Sequence, residues 1–171
     1  MVRIVTFLGN PGPAYSRTRH NAGWMVADRL SEKLALEWRS KFKGRIAVYS
    51  GVAYLKPETL MNRSGESVSA CAAFYAVNAK DLLVVHDDIE LEFGRVELKE
   101  GGGLGGHNGL RDIARTLGTP GFARLRIGVS RPAHGNVASY VLSRFATEEE
   151  SDLPSILDRA VARLEEWLAK G

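Results

Sequence analysis

Short apolar runs separated by stretches of helical periodicity constrain this chain more than any other feature. Residues 2–8, 82–86 and 123–129 are rich in Val, Ile and Leu and are bounded by turn residues, the pattern of strands buried on both faces. Weaker strand patterns cover 45–55 and 93–99. Between them, apolar spacing near the helical period predicts helices over 22–37, 64–76 and 107–117. A last helix carries Leu153, Ile156, Leu157, Ala160, Val161, Leu164 and Leu168 as one stripe. Thr147 and Glu150 have the spacing of a capping box ahead of it, and Pro154 is tolerable only near a helix start. Strands alternating with helices predict an α/β layered fold with helices on both sheet faces. No repeat, low-complexity segment or linker interrupts it, so one domain over residues 1–171 is expected.

Composition narrows the class. Hydrophobic residues make up 44% and charged residues 25% of the 171 residues, as in ordinary soluble proteins. The lone Cys71 excludes an internal disulfide framework and suits a reducing compartment. No apolar stretch approaches the roughly 18 residues of a membrane span, and the first eight residues are too short for a signal peptide and predict a strand. A cytoplasmic protein with no membrane partner is the expectation. The net charge of +3 says little about a nucleic-acid partner, but its distribution says more. Basic residues gather at 15–20, at Arg39, Lys41, Lys43 and Arg45, and at Arg111, Arg115, Arg124, Arg126 and Arg131, while acids crowd the C-terminal end. They are read either as solvated surface or as contacts for a phosphate-bearing ligand.

Four segments carry chemistry. Two of the four histidines precede an asparagine, His20-Asn21 and His107-Asn108. The first pair follows the turn Gly9-Asn10-Pro11-Gly12, which is either a plain turn or the floor of a site. An imidazole beside it can accept a proton from water. In Leu60-Met61-Asn62-Arg63-Ser64, Ser64 reads as a helix N-cap, and Asn62 as a turn residue or an amide offered to a bound carbonyl. A buried strand then runs into His86-Asp87-Asp88. Alternation lets at most one of the two acids face a given site, where it would orient a histidine as in an Asp-His dyad. Metal ligation by His86, Asp87 or Asp88 with His20 or His107 competes with that reading, although no close ligand pair supports it. Finally, the glycine run 101–106 ends in His107-Asn108-Gly109. It matches neither a dinucleotide fingerprint nor a phosphate loop, and reads as a flexible wall around a substrate.

Taken in order, six blocks resemble the bacterial peptidyl-tRNA hydrolase family: LGNPGPAY at 8–15, TRHNAG at 18–23, KPETLMNRSG at 56–65, HDDIEL at 86–91, GGHNGLRDI at 105–113 and RLRIGVSRP at 124–132. They span residue 2 to about residue 145; the C-terminal helix adds little, and Leu104 within the glycine run is a modest departure. The resemblance implies a single α/β domain with a mixed, twisted β-sheet and helices on both faces, acting as a monomer without metal or cofactor. It implies hydrolysis of the ester joining a peptide to the terminal ribose of tRNA, with peptidyl-tRNA as partner. His20 would be the general base, Asp87 would hold it in its basic orientation, and Asn10 would join them at the reacting centre. Asn62 and Asn108 would bind the peptide and ester region and Met61 would line the cleft. Tyr15 and Leu60 would lie near the terminal nucleotide, and Lys99 and Arg126 would grip a tRNA phosphate. The chemistry suits these roles: an activated ester needs a deprotonated water and a donor for the oxyanion, but no serine or cysteine nucleophile. Cys71, within a predicted apolar helix, reads as core. A non-catalytic RNA-binding protein on the same scaffold is the alternative; it would be expected to lack the His20 or Asp87 type, and both are present.

Overall fold

A computed structural model describes residues 2–171; Met1, part of the expected domain, lies outside the described residues. The apolar runs become the central strands. β1 (Arg3–Phe7), β5 (Leu82–Asp88) and β7 (Ala123–Gly128) lie parallel to one another and to β4 (Val52–Pro57). Antiparallel strands flank them: β2 (Arg39–Lys41) and β3 (Gly44–Tyr49) beyond β4, and β6 (Val96–Glu100) beyond β7. The result is one mixed seven-stranded sheet in the order β2-β3-β4-β1-β5-β7-β6.

β1 and β5 each feed two cores because successive side chains point to opposite faces, whereas β7 gives Ala123, Leu125 and Ile127 to one core and turns Arg124 and Arg126 to the other face. Val5, Phe7, Leu83 and Val85 face α1 (Ala22–Leu34) and α6 (Leu153–Ala169) through Val26, Leu30, Ile156 and Leu164. Ile4, Leu82 and Val84 face α2 (Ser64–Tyr75) and α3 (Asn108–Leu117) through Val68, Cys71, Leu110 and Ile113. The α6 stripe is as read from the sequence, with Trp167 added to its buried side and the guanidinium of Arg3 stacked 3.7 Å from that ring. Cys71 is fully buried core.

The departures have local causes. The strand expected at 45–55 is two strands, because Ser50 and Gly51 both adopt positive φ (51° and 79°) and reverse the chain into a hairpin. The strand expected at 93–99 starts at Val96, since Gly94 turns at φ 95°. The first helix stops at Leu34 rather than 37, where Ala35 takes the left-handed conformation. Polar β2 and the short helices α4 (Val137–Val141) and α5 (Thr147–Glu150) carry no periodic signal. The capping box expected from Thr147 and Glu150 sits one residue earlier: the Ala146 N–H donates to Glu149 at 2.8 Å. Nor does Ser64 cap α2; its hydroxyl donates to the Met61 carbonyl, and Asp112 of α3 caps the helix by accepting from the Gly65 N–H at 2.7 Å.

One close approach positions the site. The first turn of α1 crosses the ends of β1 and β5 at Gly23, where a Cβ would stand 2.6 Å from the carbonyl oxygens of both Leu8 and Val85. Those are main-chain atoms of the sheet and cannot swing aside. Gly23→Ala is therefore expected to cost about 1–3 kcal/mol of stability, read as a lower urea midpoint at unchanged slope; an unchanged midpoint would show that the helix can lift freely.

Candidate active site

The site is built where β1 and β5 end, the position at which α/β sheets present ligands. The buried run of β5 delivers Asp87, only 2% exposed, to its carboxyl end. His20 arrives from the other side, on a single helical turn Arg19–Asn21 that leads into α1. Its Nδ1 lies 2.9 Å from both Asp87 oxygens. His107, the N-cap of α3, brings its Nε2 to 2.9 Å from Asp87 Oδ1. Asp88 lines the same cavity, contrary to the expectation that at most one of the two acids would face the site, but alternation gives it a different partner, the Arg126 Nε of β7 at 2.7 Å. One acid serves the histidines and the other an arginine.

Electrostatics follow from burial and these partners. Burial works against a charge on Asp87, but His20 and His107 beside it outweigh burial and hold the carboxyl well below the usual carboxylate range. Burial also works against a proton on His20, yet the charge and hydrogen bond of Asp87 prevail and raise its pKa above the ordinary 6.5. With Nδ1 turned to a carboxylate, the His20 proton belongs there and Nε2 is left bare, the form of a general base. His86 behaves differently. Burial, with His107 adding to it, pushes its pKa down to about 4, and its Nδ1 donates to the Asp87 main-chain carbonyl at 2.8 Å.

Local clamps hold the turn that bears His20. The Asn21 amide pairs with both main-chain groups of Asn10, accepting its N–H at 2.9 Å and donating to its carbonyl at 3.0 Å. Asn10 Oδ1 in turn accepts the Met61 N–H at 2.7 Å, which fixes its amide orientation and leaves Nδ2 as the free donor. Arg19 is buried over the Tyr140 ring, 4.1 Å from its centre, and bonds Ser143, the Arg144 carbonyl and Glu149.

A cavity of about 490 Å³ opens beside the histidines. Of the residues expected from the sequence, His20, Asp87, Asn108, Lys99 and Arg126 line it. Asn10 and Met61 are buried beside it without lining it, and the Met61 sulfur packs against Gly109. Tyr15 is half-buried, while Leu60 and Asn62 are exposed outside the cavity. The sequence reading left three participants without these roles: His107 as a partner of Asp87, Asn21 as a clamp, and Arg124 as a buried cation. Arg124 pairs with Lys99 across β6 and β7 and is 1% exposed. It lines the cavity with Nε and Nη1 unpartnered. The basic set at 111–131 signalled cations here, but not the burial of Arg124.

Among the described residues, His20, Asp87 and His107 also offer three metal-type donor atoms within 4.8 Å of one another. Their near pairs stand at 2.9 Å, the length of N–H···O bonds. That spacing suits two imidazole N–H donors around one carboxylate.

The chain matches the family model described as Peptidyl-tRNA hydrolase over residues 4–171. It is 47% identical to the peptidyl-tRNA hydrolase of Geobacter sp. (strain M21), covering 99% of this chain and 93% of that protein. It is 51% identical to that of Treponema pallidum (strain Nichols), covering 91% and 81%. The crystal structure of peptidyl-tRNA hydrolase from Acinetobacter baumannii superposes with a TM-score of 0.89 at 37% identity, covering 96% of this chain and 87% of that one.

The environment of His86 makes a direct prediction. Its ring nitrogens, followed by NMR, should stay neutral as pH falls through 6.5 and gain a proton only near 4; titration near 6.5 would mean that the ring is solvated.

Proposed function

The chain belongs to the peptidyl-tRNA hydrolase family, and on that premise we propose that it hydrolyses the ester between peptide and tRNA in peptidyl-tRNA, using water activated by His20 and no metal. The observation that carries this reading is the His20–Asp87 pair at 2.9 Å on the wall of the cavity. His20 Nε2 takes a proton from water as the water oxygen attacks the ester carbonyl carbon. Asp87 stabilises the imidazolium that forms. The tetrahedral oxyanion collapses, the bond to the ribose oxygen breaks, and that oxygen takes the proton back from His20. Peptide acid and free tRNA leave, and the base is restored. A positioned histidine contributes on the order of 10²–10⁴-fold to such a step.

Amide donors share the remaining work. Because Asn10 spends Oδ1 on Met61, its free group is the Nδ2 donor, suited to a carbonyl oxygen or the oxyanion. Accepting the peptide N–H then falls to Asn108 on the cavity wall or to exposed Asn62. Charged α-ammonium on a free aminoacyl-tRNA cannot reproduce that N–H···O pair, which would favour blocked substrates. Met61 packs beneath this region, and Tyr15 and Leu60 are offered to the terminal nucleotide. Lys99 and Arg126 supply the grip on a tRNA phosphate. No helix among the described residues is long and apolar enough to cross a membrane; we assign a single domain acting as a monomer in the cytoplasm.

Cleavage of peptidyl-tRNA should proceed unaffected by a chelator, and His20→Ala should lower kcat by at least about 10²-fold while still binding tRNA. Loss of turnover on chelation would establish a metal, and tRNA binding without any turnover in the parent protein would establish the binding-module alternative. Lys99→Ala should mainly raise KM and flatten its salt dependence; a change confined to kcat would remove Lys99 from the phosphate grip.

A further inference from the structure

His107 has no part in the proton transfers above, yet both of its ring nitrogens are committed. Nδ1 faces the main-chain N–H groups of Gly109 at 3.1 Å and Leu110 at 3.3 Å, the free donors of the first turn of α3. A nitrogen facing two donors must accept, and a neutral imidazole has one acceptor and one donor. The proton is therefore on Nε2, aimed at Asp87 Oδ1 at 2.9 Å.

We infer that His107 is a positioning residue: by capping α3 it is locked with its proton on Nε2, and that proton occupies one oxygen of Asp87 and tempers the pull of Asp87 on the His20 proton. The inference rests on the reading of His20 as base. Two imidazoles then share one carboxylate but differ in freedom. The His20 ring, 4.9 Å away from that of His107, keeps a bare Nε2, whereas His107 has none. The glycine run works as more than a flexible wall, because it delivers the chain to a histidine that is at once helix cap and carboxylate donor.

Shared carboxylates bind each donor less tightly. With the His107 proton removed, Asp87 attracts the His20 proton more strongly and His20 becomes the stronger base. His20 must be unprotonated to act, so the acid limb of kcat/KM moves to higher pH. The other titratable groups facing His107 are His86, its ring centre 5.2 Å away, and Asp87, both from β5. Asp88, Glu90, Lys99, Arg124 and Arg126 share the cavity wall. All are common to the variants compared below.

Two substitutions separate the roles of the ring. In His107→Asn the amide oxygen replaces the Nδ1 acceptor and nothing reaches Asp87; in His107→Gln an amide N–H reaches toward Asp87 and the cap is lost. The experiment follows His20 by NMR titration and, in parallel, the pH profile of kcat/KM. In His107→Asn both midpoints should rise by about half a pH unit or more, with Tm close to the parent. In His107→Gln both should stay near the parent, with Tm lower by about 2–4 °C. NMR of the parent should show the Nε2–H tautomer at His107. An Nδ1–H tautomer, or a His20 midpoint unmoved in His107→Asn, overturns the inference. If the parent cleaves no peptidyl-tRNA while the His20 midpoint still shifts, the proposed function falls and this inference stands.

Discussion

Everything at the site depends on keeping one buried carboxylate ionised. Asp87 is almost sealed from water, and an unpaired charge there would be costly enough to neutralise itself. Three imidazole protons converge on this one residue instead. His20 and His107 donate to its carboxylate, and His86 donates to its main-chain carbonyl. Each donation fixes a tautomer, so a cluster of three histidines that could exchange protons freely is resolved into three roles. His20 has its Nε2 bare, His107 is spent on a cap, and His86 is held neutral by burial.

The fold can be understood as the means of bringing those donors to Asp87. β5 supplies the carboxylate at its end, α3 supplies His107 at its start, and the turn before α1 supplies His20. The last is the most delicate, since a turn has few intrinsic restraints. Gly23 lets α1 seat on the sheet, Asn21 ties the turn to Asn10, and Arg19 ties it to residues 140–149. Met61, held by Asn10, and Arg19, stacked on Tyr140, thereby connect His20 to segments far apart in sequence. The cationic wall of Lys99, Arg124 and Arg126 lies on the same cavity. Arg126 is paired there with Asp88, whereas Arg124 keeps Nε and Nη1 without a partner among the described residues.

Much of this was legible in the sequence, for physical reasons. Buried strands write segments rich in Val, Ile and Leu, so β1 and β5 stood out, as did β7 through the alternating Leu125, Ile127 and Val129 of its run and α6 through its stripe. His20, Asp87 and the other residues expected at a site, Lys99 excepted, stood in recognisable blocks. What escaped depends on partners distant in the chain. Asp112 capping α2 replaces the local cap that Ser64 advertised. The commitment of His107 to Asp87 joins residues 20 positions apart, and the glycine run before it carries no pattern that announces a helix cap. Ser50 adopts a left-handed conformation that its side chain does not advertise, which hid the β3–β4 hairpin. The burial of Arg124 was equally hidden, because an arginine in a basic run reads as surface.

The most direct measurement of the central claim compares the pH dependence of peptidyl-tRNA cleavage in the parent protein and in Asp87→Asn. If an ionised Asp87 holds His20 as the base, the parent acid limb lies above 6.5. Asp87→Asn is then slower by on the order of 10²-fold or more, and its residual limb moves below 6.5, because burial alone then acts on His20. An acid limb at the same pH in both proteins would contradict the account, since it would mean that His20 takes its basicity from something other than Asp87.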